Sequence, residues 1–469
     1  MNWYLIGILI YILFQVGVAL FVFRRIFSEK DYFLAGRSLG FIIVTFSAFA
    51  TWFGAETCIG SAGAIFEKGL SGGRADPFGY TFCLLFMGLF FASKLWKKNL
   101  TTLGDLFKER YSRRVETLAV LIMIPASIMW AAAQIRAFGQ IISSVSEFHI
   151  TSAITFAAGI VILYTSLGGL LADAITDLVQ SVVLILGLVI LFVVVMYSPD
   201  SPAGILSTIE YSRLNPFALE ESSWFLTIEG WMVPILGSLI AQELISRVLA
   251  ARSPKVAQIS CLYASGIYLI VGLIPVFLGL IGPSLFTDLS DPEQLLPMMA
   301  KKYLNPFLYV LFTGALVSAI LSTVDSTLLA VSSLFSHNLI VPILKNPSEK
   351  KKILWARAIV ILSGIGAYVL AMNSEGIYAL VESASAFGGA GIFTITLFGL
   401  FTKFGDEWSA LLALVTGIAA LLISEHVFEL NTPFLISLAV SLGAYCLVPL
   451  LKFVKGYLTN IFTDEPTTA

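Results

Sequence analysis

Apolar runs too long for a soluble core recur from one end of the chain to the other. They cover 3–23, 41–66, 77–95, 115–144, 151–165, 168–197, 224–250, 257–281, 304–340, 353–372, 376–401, 408–424 and 433–451, joined by short polar segments. A helix needs about 20 apolar residues to cross some 30 Å of bilayer hydrocarbon. Lipid offers no water to an unpaired backbone, so such a chain folds as a bundle of spanning helices. Composition agrees: 58% of the 469 residues are hydrophobic and 12% charged, against roughly 25% charged in soluble domains. The expected fold is an all-α membrane protein of about thirteen transmembrane helices. Residues 1–456 would form one polytopic domain and 457–469 a short cytoplasmic tail.

Loops on the cytoplasmic side keep lysine and arginine. Placing the N-terminus outside, extracellular or periplasmic, puts 22 basic residues on the inner side, among them Arg37, Lys94, Arg113, Arg247, Arg252 and Lys350. Only Lys68, Arg74, Arg213, Lys301 and Lys302 fall outside, and Arg136 is left within a span. A multi-pass protein of the cell membrane with a cytoplasmic C-terminus is expected. The first run has no basic leader or small-residue cleavage site, so it reads as a retained helix. Cys58, Cys83, Cys261 and Cys446 all lie in apolar runs, where packing rather than a disulfide framework is their role. The net charge of -2 offers no nucleic-acid surface, and no glycine–lysine nucleotide motif is present. No soluble catalytic domain is evident, so the chain is not expected to be an enzyme. Its expected partners are the bilayer and a small solute, with no obligatory protein partner.

Two runs are interrupted. Counting the first run as span 0, span 1 contains "TWFGAETCIGSAGAIF" with Gly54, Gly60 and Gly63, and span 6 contains Gly230, Pro234 and Gly237. Each interior glycine costs a helix about 1 kcal/mol relative to alanine. Spans five apart run in opposite directions, so the pair fits an inverted repeat of five plus five helices, over about 41–197 and 224–401. Unwound backbone at mid-membrane frees carbonyls and half-helix ends for a solute and an ion. That is the layout of a secondary transporter.

Charge inside the spans points the same way. The stretch "GGLLADAITDLVQSVVLILGL" holds Asp173 and Asp177 one helical turn apart, although an aspartate at mid-membrane costs roughly 2.5–3.5 kcal/mol on insertion scales. Span 8 carries Ser318, Ser322, Thr323, Asp325, Ser326, Thr327, Ser332, Ser333 and Ser336. A small hard cation takes several oxygen ligands, which hydroxyls, one carboxylate and freed carbonyls supply. At about 1.5 Å per residue, Asp177 and Ala50 both lie roughly 14 Å inside their spans, with Ser322 at a compatible depth. Asp173 lies one turn nearer the inner face, where it lines the inner vestibule or is simply solvated.

The motifs "DYFLAGRSLG", "YTSLGGLLADAITDLVQ" and "LSTVDSTLLAVSS", with the span pattern, make the chain resemble the solute:sodium symporter family. That resemblance implies a LeuT-type fold with one extra N-terminal and two extra C-terminal helices, and Na+ as coupling ion. It places the main sodium site at the carbonyls of Ala50 and Phe53, the hydroxyls of Ser322 and Thr323 and the carboxylate of Asp177. Asp325 and Ser326 fall where some members bind a second sodium, and a purely structural polar network is the alternative for Ser322 and Thr323 as well as for Asp325 and Ser326. "ATWFGAE", "FGYTFCLLFMGLFFA", "IMWAAAQIRAFGQIIS" and "SRVLAARS" look most like the branch that includes the choline transporters. In that branch a quaternary ammonium lies among aromatic faces, and Trp52, Tyr80 and Trp130 match three of the positions. Ala241 departs from the pattern, which has a tryptophan before the glutamine matching Gln242.

Substrate candidates are therefore Trp52, Glu56, Tyr80, Trp130, Gln134, Gln242 and Glu243, for a quaternary amine or an amino-acid-like solute. Arg136, about 12 Å below the outer edge, is expected to form an outer gate with Glu382 or with Glu56. The function expected is sodium-coupled import by alternating access. A solute sensor on the same fold is the rival reading.

Overall fold

The computed structural model describes residues 26–463 apart from 147, 199–206, 208, 219–222, 288, 290 and 375, together with part of the segment 6–21. The run 3–23 and the tail at 457–469 therefore lie largely or partly outside the described residues. The described chain is helical, with an isolated β-bridge between Leu39 and Ala251. A short α1 (Glu29–Leu34) precedes α2 (Phe41–Trp52), which stops in mid-span, and α3 (Ser61–Lys68) continues after a π turn at Glu56–Gly60. There follow α4 (Tyr80–Phe86), α5 (Ala92–Lys97), α6 (Leu103–Arg110), α7 (Arg113–Val145) and α8 (Ile150–Tyr197). The second half begins with α9 (Trp224–Met232), a π turn at Val233–Gly237 and α10 (Gln242–Ala250), then α11 (Pro254–Leu285) and α12 (Leu295–Tyr303). It ends with α13 (Pro306–Ser332), α14 (Glu349–Asn373), α15 (Ile377–Ala386), α16 (Gly389–Phe401), α17 (Glu407–His426) and α18 (Pro433–Thr463).

Eight described helices are long and apolar enough to cross a membrane, or ten when two bent pairs each count as one span. The difference from thirteen lies partly in the joints. Runs 151–165 and 168–197 form the single α8 of 48 residues, about 72 Å and twice the hydrocarbon thickness. Gly169, with φ 61° and ψ -179°, divides it into two arms. In the same way Glu56–Lys97 is one helical run, turned at Gly69 (φ 68°) and at the extended Asp76 (φ -138°, ψ 126°).

The expected breaks in spans 1 and 6 are present, the second as a 41° bend between Trp224–Gly237 and Gln242–Ala250. A third was not expected: run 376–401 bends by 40° at Gly388, which has φ 69°. The second and third breaks touch backbone to backbone. A Cβ on Gly237 would lie 2.1 Å from the Ser385 carbonyl oxygen, and one on Gly389 would lie 3.0 Å from the Gly237 Cα. Only glycine permits that approach.

The breaks are held around a polar core. Helix α13 is buried from Ala315 through Ser332, hydroxyls included, and packs along α8 and α7. At one end of the bundle the Leu39 N–H donates to the Ala250 carbonyl at 3.1 Å and the Arg252 N–H to the Leu39 carbonyl at 2.9 Å, tying α2 to α10. Near α6, His337 is 3.0 Å from Glu29 and 3.2 Å from Asp105. Burial alone would raise the Asp105 carboxyl, but bonds from His337 and from the Thr101 and Thr102 N–H groups hold it below its ordinary range.

The bend in α8 has a direct test. A Cβ at Gly169 would lie 2.9 Å from the Tyr32 carbonyl oxygen in a backbone region closed to other residues. Gly159, on the same helix, has nothing within 4 Å of its Cβ direction. Gly169→Ala is expected to lower the melting temperature of the detergent-solubilised protein by several degrees, from strain of about 1–3 kcal/mol. Gly159→Ala should leave it unchanged or raise it. Equal melting temperatures for the two variants would show that the bend does not need glycine.

Candidate functional site

Helix α2 ends at Phe53, whose φ of -83° and ψ of 70° leave the helical region. The backbone groups around the break must then find partners inside the bundle, because lipid supplies none. Gln134 of α7 meets one need: its Oε1 accepts the Ala55 N–H at 3.0 Å, while its Nε2 donates to Glu56 at 2.7 Å. The Ala50 carbonyl accepts the Ser322 hydroxyl at 2.7 Å and the Thr323 hydroxyl at 3.3 Å, both from α13. Gly54 fits against Thr323 and Gln134 only because it lacks a Cβ, which would lie 2.7 Å from Thr323 Oγ1.

Most hydroxyls of α13 satisfy themselves locally. Ser318 donates to the Gly314 carbonyl at 2.7 Å, Ser326 to Ser322 at 2.7 Å, and Thr327 to Thr323, each one turn back. This is the ordinary use of a hydroxyl in a membrane helix. Ser322 is different, because it bonds across to the opened backbone of α2. Thr323 divides its bond between that carbonyl and Ala319 at 3.2 Å.

The carboxylates of α8 gather around Arg247 of α10. Counted above with the inner loop charges, Arg247 is instead buried to 1% exposure, because the helix carries it into the bundle. Its guanidinium bonds to Asp173 and Ser326, lies 3.5 Å from Asp177, and donates through Nε to Ser47 at 3.2 Å. Arg136 is thus not the sole basic side chain within the spans. Asp173, expected near the inner vestibule, is buried in this pair. Asp177 Oδ2 accepts the Ser47 hydroxyl at 2.5 Å, while its Oδ1 is buried without a hydrogen bond. Ser47 lies one turn before Ala50, so Asp177 and the Ala50 carbonyl address the same helix end. Asp325 accepts the hydroxyls of Tyr164 and Thr165, and Ser326 is taken up by Arg247.

Trp52, Tyr80 and Trp130 come together as one cluster. Trp52 stacks on Tyr80 with ring centres 5.7 Å apart, and Trp130 tilts against Trp52 at 4.7 Å and Tyr80 at 5.9 Å. In this conformation the rings fill the space between themselves. The open space lies beyond Trp130, in a narrow cavity of about 30 Å³ bordered by α7, the break in α9–α10 and the bend at Gly388. Glu243 and Ser127 line it, and Glu243 Oε1 is buried without a hydrogen-bond partner. Gln242 reaches the same cavity, but its amide is engaged by the Leu103 N–H at 2.9 Å and Ser246 at 3.0 Å. Tyr80 and Ser238 both meet Ser385, at 3.3 and 3.2 Å, linking the rings to the third break. Arg136 donates to the Ala371 carbonyl of α14 at 3.2 Å, and Glu382 is exposed on α15.

Sequence reasoning passed over Arg247, Ser47 and Asp76. Arg247 ends the run 224–250 and looks there like any flanking loop charge. Its spacing of four from Glu243 was the available signal.

Residues 32–417 match the model of the sodium:solute symporter family. A high-affinity choline transporter of Drosophila melanogaster is 29% identical over 372 residues, covering 76% of this chain, which spans 59% of that protein's length. The osmoregulated proline transporter OpuE of Bacillus subtilis is 25% identical over 99% of this chain and 96% of its own. A Na+-coupled sialic acid symporter, solved in a substrate-bound outward-open state, shares the fold with a TM-score of 0.85 at 18% identity, over 96% of this chain and 97% of its own. These relatives are transporters and not enzymes. The chain belongs to the sodium:solute symporter family.

Proposed function

We propose that this protein imports a small organic solute together with sodium by alternating access. The observation that carries the proposal is the bond from Ser322, reinforced by Thr323, to the Ala50 carbonyl where α2 opens. Rotating the two hydroxyl hydrogens away leaves three oxygens facing one point. The Asp177 Oδ1 atom and the Phe53 carbonyl complete the proposed ligand set, all hard oxygens suited to Na+. Asp325 and Ser326 read better as parts of the polar network around Arg247, since both already have partners.

The solute is placed in the cavity between Trp130 and Glu243. A buried carboxylate with one oxygen left without a hydrogen bond, beside an aromatic ring, suits a solute with an ammonium group, as in the choline and proline named for the relatives. Trp52 and Tyr80 support Trp130 from behind, and Glu56 and Gln134 hold the break open. The two halves, about 41–197 and 224–401, act as inverted repeats in a bundle of about thirteen spans. The N-terminus is placed outside and the C-terminus in the cytoplasm, as the loop charges favour.

Purified protein in proteoliposomes is expected to take up radiolabelled choline or proline under an inward sodium gradient and not under a potassium gradient. Ser322→Ala with Thr323→Ala should raise the half-saturating sodium concentration about tenfold or more, equivalent to roughly 1.4 kcal/mol of binding per tenfold. Unchanged sodium dependence in that double variant would remove the site assignment.

The outer gate is assigned to Arg136 with Glu382. Arg136→Glu and Glu382→Arg are each expected to reduce uptake severalfold, and the double reversal to restore most of it. Glu56→Arg in place of Glu382→Arg tests the other partner. Failure of both reversals, with unchanged accessibility of outer-vestibule cysteine probes in Arg136→Gln, would show that no such gate exists.

A further inference from the structure

At the break in α2 the Trp52 carbonyl, which accepts the Gly54 N–H at 3.0 Å, also faces an oxygen cage of its own. Asp76, in the extended turn before α4, is fully buried, as are Thr57 and Tyr268. Its two carboxylate oxygens meet the hydroxyls of Thr57 and Tyr268. Five oxygen–oxygen contacts of hydrogen-bond length join four groups here. Thr57 Oγ1 is 2.5 Å from Asp76 Oδ2, 2.8 Å from the Tyr268 hydroxyl and 3.4 Å from the Trp52 carbonyl. The Tyr268 hydroxyl is 3.0 Å from Asp76 Oδ1 and 3.1 Å from the Trp52 carbonyl. Ser61 donates to the Asp76 carbonyl at 2.8 Å and so holds the extended residue in place.

The hydrogens do not suffice for these contacts. Two hydroxyls bring two protons, which close the contacts at 2.5 and 2.8 Å, so with Asp76 ionised the three contacts at 3.0, 3.1 and 3.4 Å are left without a proton. Protonating Asp76 closes one more and still leaves two. A cation among the four groups turns every contact into shared coordination, and it also neutralises a carboxylate buried at high cost. A single carboxylate with two hydroxyls and a carbonyl matches one positive charge. A divalent ion is commonly held by more acidic ligands.

We infer that Asp76, Thr57, Tyr268 and the Trp52 carbonyl bind a sodium ion, separate from the one assigned to Ala50, Ser322 and Thr323. The two sites flank the same broken turn, one facing α13 and the other facing α11. The ligand carbonyl of the new site belongs to Trp52, whose ring packs on Trp130 at the edge of the cavity. Sodium at this site therefore fixes the aromatic wall as well as the break.

Equilibrium binding of radiolabelled sodium to the purified full chain in nanodiscs tests the inference without knowledge of the solute. The parent is expected to bind about two ions per chain and Asp76→Asn about one. Tyr268→Phe and Thr57→Val remove only hydroxyls and are expected to weaken one of the two ions about tenfold, so they decide the matter where Asp76→Asn does not fold. Parent-like binding in these hydroxyl variants, or two ions retained in a folded Asp76→Asn, overturns the site. One ion in the parent that is lost in Ser322→Ala/Thr323→Ala and kept in Asp76→Asn overturns it too, while leaving the Ala50 assignment standing. The reverse pattern supports Asp76 and removes the Ala50 site.

Discussion

Everything at the centre of this protein answers the backbone groups left open where α2 stops at Phe53. In the bilayer each such group costs several kcal/mol unless a protein atom meets it. Three helices and the π turn at Glu56–Gly60 supply those atoms. Gln134 takes the Ala55 N–H, Ser322 and Thr323 take the Ala50 carbonyl, and Thr57 and Tyr268 take the Trp52 carbonyl. The partners are hydroxyls and one amide rather than fixed charges. Such bonds are cheap enough to exchange for an ion and strong enough to hold the break when none is present.

Beside this centre stands the ion-paired group of Arg247, Asp173 and Asp177. An ion pair buried this deeply gives little net stability, yet removing one partner costs about 3–5 kcal/mol because the other is left uncompensated. Arg247 is on α10, past the second break, and the aspartates are on α8, past the bend at Gly169. The pair therefore joins an element from each half of the chain at the level of the Ala50 carbonyl, through Ser47. Asp177 faces both a guanidinium and the proposed sodium, so its charge is shared between a tethered cation and a mobile one.

Much of this was legible in the sequence, for a physical reason. Glycine inside an apolar run, a carboxylate in lipid and hydroxyls crowded around it are each costly, so they mark the breaks in α2 and α9–α10, Asp177, and Ser322 with Thr323. The bend at Gly388 was missed because "FGGAG" ends no hydrophobic run and glycine is common in membrane helices. Asp76 was missed because it stands beside Pro77 at the head of a run and looks like a loop residue. Arg247 was misplaced for the same reason, since position along a run does not tell which way a terminal side chain folds. The stacking of Trp52 on Tyr80 depends on contacts between residues far apart in sequence, which no local pattern contains.

Hydrogen–deuterium exchange over 47–60 and 318–327, compared in sodium and in potassium at equal ionic strength, tests the central claim most directly. If the opened backbone of α2 and the hydroxyls of α13 are the sodium site, sodium will slow exchange in both segments and potassium will not. Identical exchange in the two salts, with the protein folded in both, would contradict the account.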